Sequence, residues 1–413
     1  MLLKDQMLFK GVVFRLDSGL PADARFLLED FRLAVNNAIR AGLQARVTSR
    51  TALARLAYKD LREEHPKMYS QHLVSALGVA TGILRNHRRV VRKGAARNIP
   101  YVRRLMMKAE NQAYKLDRES GVIDLPIRAG CHVKLGLVVS QYHRKYLDDM
   151  TLTLGSLTLL PDRVIIAFRK EAPLAYTPES ALSLDTNERS LDGVLVKGDG
   201  GVVVKADYRD VAVIQQRHHD RRRKLQKKKK SHDRRLARFL CRGEGAREHR
   251  RVDNRMHQVA NAVLSFAEGG RSAVVLEDLK GFRPKRGKDL NRRLSMWPRR
   301  KLHQMIEYKA SWKGIPIIKV DPRYSSRTCP VCGKIQDSRM GTEFKCDCGW
   351  HLDRHINASL NLLQTAISKG LEVAGGLRFD PGAFQHDVMM ILYEPAMAAR
   401  SEPNGTSHAV AMS

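Results

Sequence analysis

The pattern of apolar and polar positions first predicts a strand and then a block of helices. The strand is MLFKGVVFRL, and in the segment after it Leu28, Phe31, Val35 and Ile39 recur at helical spacing. Further helices are predicted over TALARLAYKDL and SQHLVSALGVATGILRNHRRVVRK. From about Gly121 the pattern changes to short apolar stretches separated by turn residues, CHVKLGLVV, MTLTLGSLTLL and DRVIIAFRK. These favour an antiparallel barrel or sheet that the first strand joins, with the helical block inserted in it.

A different pattern begins at Ala181. The strand ALSLD is followed by GVLVKGDGGVVVK, a hairpin whose tight turn lies at Gly198 to Gly201. A basic helical stretch, a helix around DNRMHQVANAVLSFA, the strand SAVVLE, the helix PRRKLHQMIEYKASWKG and the strand IPIIKV come next. Three hairpin-linked strands, then helices alternating with strands, are the order of an RNase H-like fold. A last helix is predicted over HLDRHINASLNLLQTAI, and the weakly patterned residues after it are expected to be a flexible tail.

Charge narrows the class of partner. The 413 residues are enough for two or three domains, and 74 Lys and Arg against 43 Asp and Glu leave a net charge of +31. This excess favours a nucleic acid, because each neutralised phosphate releases condensed counterions. A solvated basic surface, or a ribosomal or chromatin-type protein, is the alternative. Candidate phosphate contacts lie on two basic stretches: Arg88, Arg89, Arg92, Arg221, Arg222, Arg223, Lys227, Lys228, Lys229 and Lys230.

Other classes of protein are disfavoured. Six cysteines are too few and too clustered for a disulfide framework in a chain of this length. The start of the chain lacks the apolar core of a signal peptide, and no apolar run reaches the roughly 18 residues of a membrane span. The sequence therefore predicts a cytoplasmic protein without a membrane segment.

Four cysteines form two short motifs. Cys329 and Cys332 lie in CPVCG, and Cys346 and Cys348 lie in CDCG. Four thiolates at these spacings suit tetrahedral Zn²⁺, and a full shell of four sulfurs leaves no position for a reactive water. We therefore expect a structural zinc site. The second motif is Cys-x-Cys rather than Cys-x-x-Cys, and His351 is an alternative fourth ligand.

Two acidic residues follow apolar strands. Asp185 ends the strand ALSLD, and Glu277 follows AVVL. Taken singly, Asp185 is also compatible with a turn-capping residue and Glu277 with an ordinary strand-end acid. Together, on strands of this order, they favour a pair of divalent cations bound between strand ends, which is the machinery of phosphodiester cleavage.

A third ligand is expected near the last helix, where Asp353 and His355 compete. If the helix starts at about Leu352, Asp353 lies roughly 60° from the centre of its apolar stripe and His355 about 100° away on the other flank. The pattern thus prefers Asp353. An acid that only complements the helix dipole is the alternative for Asp353, and neutral imidazole is also a competent metal ligand.

These motifs resemble one family. From about Ala181 to Leu363 the chain is similar to TnpB, the OrfB protein of insertion sequences and the transposon-encoded relative of type V CRISPR effectors. The resemblance rests on the Asp185 strand, RRRKLQKKKK, VDNRMHQVANAV, VVLEDLKGF, SMWPRRKLHQMIEYKASWKGIPIIKVDPRYSSRTCPVCG and CDCGWHLDRHINASLNLL. The first 180 or so residues match that family only in layout, a β element holding a helical insertion.

The resemblance implies an RNA-guided DNA endonuclease, with a guide RNA and double-stranded target DNA as partners. A RuvC-type site would hold two Mg²⁺ ions on Asp185, Glu277 and a third residue, and would cut DNA next to a short adjacent motif. In the family the third block is commonly Asp-Arg-Asp-x-Asn-Ala, and here His355 replaces the second Asp. A cleavage-deficient RNA-guided DNA-binding protein, either a regulator or a compact type V effector, is therefore the alternative. Both monomer and dimer stay open.

The resemblance also implies a multidomain α+β fold. The expected parts are a wedge-like β-barrel (1–20 and 120–178) carrying a helical recognition insertion (21–119), an RNase H-like RuvC core (179–322 and 351–368), an inserted zinc ribbon (323–350) and a flexible tail (369–413).

Overall fold

The computed structural model describes residues 7–94, 98–128, 130–228, 233–279, 296–336, 341–377 and 389–395, with single residues 287, 291, 294 and 380 and without the side chains of 241 and 242. The chain forms two compact units, Met1–Ala172 and Pro173–Ser413. No helix among these residues is both long enough and apolar enough to cross a lipid bilayer.

The first unit is built on a sheet of seven antiparallel strands. Its order is β2-β6-β7-β1-β5-β4-β3. The strands are β1 (Met7–Leu16), β2 (Met107–Ala109), β3 (Lys115–Asp117), β4 (Val122–Arg128), β5 (Cys131–Val138), β6 (Thr153–Leu160) and β7 (Arg163–Glu171). The first strand thus joins the later ones, as the pattern predicts. Closure of the sheet into a barrel stays a prediction.

Three long helices lie between the first and second strands of this sheet. They are α1 (Ala22–Gln44), α2 (Arg50–Glu64) and α3 (Ser70–Arg92), and a short α4 (Gln141–Leu147) follows later. Helix α1 buries Leu28, Phe31, Val35 and Ile39, the apolar positions of its predicted stripe. The helical block ends earlier than the expected residue 119, because β2 and β3 already belong to the sheet.

The second unit is built on a six-stranded sheet of order β12-β11-β8-β9-β10-β15. Strands β8 (Ser180–Thr186), β9 (Ser190–Lys197) and β10 (Gly200–Asp207) are antiparallel neighbours. Strand β11 (Ser272–Glu277) runs parallel to β8, and β12 (Ile317–Val320) runs parallel to β11. The hairpin-linked strands and the parallel strands after them confirm the strand order predicted from the sequence.

The expected flexible tail needs correction over one segment. Residues Met389–Tyr393 form β15, which pairs in parallel with β10. Its backbone forms ladder hydrogen bonds with β10, which lies nearly 200 residues earlier in the chain. The apolar pattern of this segment is too weak to predict the strand that it forms.

Helices cover both faces of the second sheet. They are α5 (Arg209–Lys227), α6 (Arg234–Arg238), α7 (Gly245–Gly269), α8 (Arg299–Lys313) and α9 (Arg354–Ser368), with a π-helical turn at Phe239–Glu244. Leu182 and Leu184 pack towards α7 and α8, whereas Ala181, Val194 and Val275 pack towards α9. Because both faces are buried, the strands read as nearly continuous apolar runs.

The cysteine motifs lie between β12 and α9. A short antiparallel hairpin of β13 (Glu343–Lys345) and β14 (His351–Asp353) encloses the second motif between its strands, and β14 leads directly into α9. The backbone amide of Cys329 donates to the carbonyl of Lys334, which closes the first turn. The sequence order therefore places the cysteine cluster next to the start of α9.

Candidate metal and nucleic-acid sites

Two buried acids meet at the ends of neighbouring parallel strands. Leu184 and Leu276 are register partners, so Asp185 and Glu277, the next residues along, lie at the same level near the ends of β8 and β11. Both side chains point to the face covered by α9, and the two residues are only 8% and 7% exposed. The amide of Thr186 donates to Glu277 Oε2 over 3.2 Å. Burial, and next the negative charge of Asp185, raise the pKa of Glu277 well above its usual range.

The third side chain at these acids is His355. Its Nδ1 lies 3.0 Å from Asp185 Oδ2. Asp353 is instead the N-cap of α9, and its carboxylate accepts from the amides of His355 (2.8 Å) and Ile356 (3.3 Å). The preference for Asp353 assumed a helix beginning at about Leu352. That start is wrong, because Leu352 lies in β14 and the helix begins at Arg354.

The charge state of His355 depends on Asp185. Burial by itself lowers the pKa of His355, but the hydrogen bond and charge of Asp185, with the charges of Asp353 and Asp192, outweigh it and raise this pKa. Glu277 and His355 both lie beside the Asp185 carboxylate, and the pKa of each is raised by it.

A further carboxylate, Asp192, lies beside this cluster. Asp192 is the register partner of Asp185 on β9 and is 7% exposed. Asn187 and Ser190 donate to its Oδ2, and Lys205 Nζ lies 3.5 Å from its Oδ1. No motif in the sequence indicated Asp192. The hairpin register, with Asp192 two residues before Val194 on the same face, is the signal that points to it.

A buried histidine supports the other side of the cluster. His303, on α8, lies 2.7 Å from the hydroxyl of Thr186, whose amide contacts Glu277. Burial, then the nearby charges of Lys319 and Arg299, lower the pKa of His303 to about 4. The imidazole is therefore neutral near pH 7 and acts as a hydrogen-bonding group. No sequence motif indicated this residue.

The four cysteines converge. Their Sγ atoms all lie within 4.8 Å of one another, at 3.6 Å for Cys329–Cys348 and 3.5 Å for Cys332–Cys346. Tetrahedral Zn²⁺ with Zn–S bonds near 2.3 Å requires sulfur pairs about 3.8 Å apart, so the cluster fits zinc. Within the described part of the chain, no other set of histidine, cysteine and acidic ligand atoms is this compact. His351 contacts Glu343 and does not join the cluster.

The predicted phosphate contacts are mostly exposed. Arg88, Arg89 and Arg92 are exposed at the end of α3. Exposed residues on and directly after α5 are Arg221, Arg223, Lys227 and Lys228. Arg222 is partly buried and pairs with Glu248. Lys229 and Lys230 lie outside the described residues. The exposed residues make α5 a basic surface in the second unit.

The comparisons with known proteins give a class of fold and a family. The family model for the Cas12f1-like TNB domain matches residues 300–362, and that of the uncharacterized protein MJ0013 family matches residues 27–123. A solved Cas12f1–sgRNA–target DNA complex contains a chain with a TM-score of 0.53 at 13% identity, covering 82% of this chain and 81% of that one. At this identity the likeness shows the fold alone, which is the mixed α/β fold of Cas12 effectors.

Sequence relatives identify the family. TnpB-like protein MJ0751 of Methanocaldococcus jannaschii is 30% identical over 248 residues, which cover 58% of this chain and 88% of that protein. The CRISPR-associated endodeoxyribonuclease Cas12f1 of Sulfoacidibacillus thermotolerans is 34% identical over 122 residues, 28% of either chain. The chain belongs to the TnpB-like family.

Proposed function

We propose that this protein is an RNA-guided DNA endonuclease whose nuclease site is formed by Asp185, Glu277 and His355. The observation that carries the proposal is the contact of His355 Nδ1 with Asp185 Oδ2 at 3.0 Å, beside the buried Glu277. The three residues come from β8, β11 and α9, so only the folded second unit brings them together. Relatives with endodeoxyribonuclease in their names support the same chemistry.

The strand order supports an RNase H-like RuvC core. Three antiparallel strands, β10-β9-β8, continue into the parallel strands β11 and β12, and α9 covers the face that carries the acids. The cysteine cluster lies between β12 and α9, where an inserted zinc ribbon is expected. We propose residues 179–322 and 351–368 as this core and 323–350 as the ribbon. The first unit would supply the wedge-like sheet and the helical recognition insertion.

The donor set fits divalent cations. Carboxylates and imidazole suit Mg²⁺ or Mn²⁺, and the excess negative charge around Glu277 is what a cation would neutralise. Such ions would activate water and stabilise the leaving oxygen. The backbone amide of Thr186 orients the Glu277 carboxylate. For both residues to bind a cation, Glu277 must lose its proton and His355 must be neutral. We propose Zn²⁺ on the four cysteines as a structural ion.

The basic residues fit the partners. A net charge of +31 and the exposed basic side chains of α3 and α5 favour phosphate contacts with guide RNA and target DNA. Sequence choice would come from guide–target base pairing, while the protein contacts the backbone and reads a short motif beside the target.

His355 favours a second candidate function, DNA binding without cleavage. His355 is neutral or positively charged where relatives of this type often carry an acid, so binding of two cations is weaker than with three carboxylates. The alternative is a guided DNA-binding protein that does not cut.

A cleavage experiment tests the proposal and separates it from the alternative. RNA is sequenced from the protein purified with its native locus, and the complex is given Mg²⁺ and a target library with randomised flanks. Wild type is expected to cut, whereas Asp185→Ala and Glu277→Ala should retain RNA binding and lose cutting. If wild type binds matched DNA and leaves it intact with Mg²⁺ and with Mn²⁺, the guided DNA-binding function is correct instead.

A further inference from the structure

One buried hydroxyl bridges β8 and β9, the two strands that carry Asp185 and Asp192. Ser359, on α9, is completely buried. Its Oγ accepts from the backbone amide of Asp185 (3.1 Å) and donates to the backbone carbonyl of Asp192 (2.7 Å). Asp185 and Asp192 are register partners on β8 and β9. A serine hydroxyl has one donor and two acceptor sites, so it makes both bonds at once. Helix α9 is thus joined to both strands at the paired acids.

A second bond holds the same position from the strand side. The hydroxyl of Ser183 donates to the backbone carbonyl of Ser359 over 2.8 Å. Ser183 is also completely buried, and it lies two residues before Asp185 on the same face of β8. The surroundings are otherwise apolar, with Leu360, Leu363 and Val194 in the same core.

These bonds determine where the helix lies. A buried polar group without a partner is costly, so sliding or rotating α9 would break all three bonds without offering replacements. Apolar contacts tolerate small shifts more easily than directional hydrogen bonds do. The two serines therefore fix the translation and rotation of α9 on the sheet, which the leucines around them do not specify as sharply.

The position of His355 follows from that of Ser359. The two residues are four positions apart on α9, so they share one face of the helix, about 6 Å apart along its axis. With Ser359 held at the Asp185–Asp192 pair, His355 lies over the end of β8, where its Nδ1 is 3.0 Å from Asp185 Oδ2.

We propose that Ser359 is a positioning residue of the nuclease site: its hydroxyl holds α9 on β8 and β9 and thereby keeps the His355 imidazole against Asp185. This inference rests on the proposed function, because it assumes that Asp185 and His355 bind cations together. The Ser359 hydroxyl hydrogen-bonds to backbone atoms of Asp185 and Asp192, so Ser359 orients the site and is not proposed as a ligand.

The test measures Mn²⁺ affinity of the full-length, zinc-loaded protein by electron paramagnetic resonance titration. Ser359→Ala removes the hydroxyl without adding volume. Outer-shell groups that orient metal ligands typically contribute about 10–100-fold to affinity, and we expect a loss of that size. Ser183→Ala removes the second bond and should weaken Mn²⁺ binding in the same direction. If Ser359→Ala does not fold, the Mn²⁺ affinity of Ser183→Ala tests the positioning role instead.

A matched control comes from the same helix. The Thr365 hydroxyl donates to the Asn361 carbonyl over 2.8 Å, a hydrogen bond within α9 rather than to a strand. Thr365→Ala should therefore leave Mn²⁺ affinity within about 2-fold of wild type, since no outer-shell contact is lost. A purely structural role for Ser359 would lower the melting temperature and leave Mn²⁺ affinity unchanged.

The outcomes separate the two proposals. If folded Ser359→Ala and Ser183→Ala bind Mn²⁺ as tightly as Thr365→Ala, the positioning role is refuted while the nuclease site stands. If wild type shows no Mn²⁺ binding that Asp185→Ala abolishes, the proposed function itself fails.

Discussion

Asp353 and His355 are two positions apart, and the structure gives them different tasks that mutation can separate. Asp353 caps α9 by accepting two backbone amides, whereas His355 contacts Asp185. We predict that Asp353→Ala weakens stability and spares cation binding. His355→Ala should weaken cation binding.

The magnitudes follow from these contacts. Replacing an N-cap Asp by Ala typically costs about 1 kcal/mol, which lowers the melting temperature by roughly 2–4 °C in a unit of about 240 residues. The side chains of His355 and Asp185 are 26% and 11% exposed, so removing the imidazole leaves a buried carboxylate without this partner and should itself cost about 1–3 kcal/mol. Loss of a ligand should weaken Mn²⁺ binding at least as much as loss of a group that orients one, about 10-fold or more.

Thermal unfolding and Mn²⁺ titration of the same samples measure both quantities. Asp353→Ser is the control, because serine keeps an N-cap oxygen and removes the carboxylate. It should restore stability and bind Mn²⁺ as wild type does. If Asp353→Ala and Asp353→Ser both lose Mn²⁺ while His355→Ala retains it, Asp353 is the ligand and the assignment of His355 is wrong.

Three further predictions concern zinc, pH and packing. Cys329→Ser should release one zinc per chain, measured by atomic absorption, whereas Cys131→Ser in the first unit should keep it; equal zinc content in both would refute the cysteine site. Burial raises the pKa of Glu277 from its ordinary 4.5 to about 8, so the folded protein favours its protonated form. Without divalent cations, Glu277→Gln should therefore match wild type in stability below about pH 4.5, exceed it increasingly up to about pH 8 and keep a constant advantage above that; a pH-independent difference would contradict this. Gly193→Ala would place a Cβ 2.1 Å from the Ser183 carbonyl oxygen and should lower the free energy of unfolding by about 1–3 kcal/mol or more. The control is Gly200→Ala, where the nearest atom to the added Cβ is 3.8 Å away, and a denaturant titration should show a far smaller change.

Local pattern was sufficient for much of the fold. The hairpin-linked strands, the parallel strands after them and the α1 stripe follow from apolar periodicity, and the cysteine cluster follows from motif spacing. These features depend on residues close together in sequence. The β15 strand did not emerge in this way, because its short, exposed apolar run becomes a strand only by pairing with β10.

The sequence by itself determined the strand ends that carry Asp185 and Glu277, because an acid directly after a buried apolar run has to emerge at the edge of a sheet. The tertiary structure alone decided which side chains join them. His355 and Ser359 reach Asp185 across 170 and 174 residues, and the hairpin brings Asp192 opposite it. The start of α9 decided between Asp353 and His355, since a shift of one or two residues turns a different side chain towards the sheet. Such contacts depend on how helices dock on the sheet, and docking is set by packing and buried hydrogen bonds that no local pattern encodes.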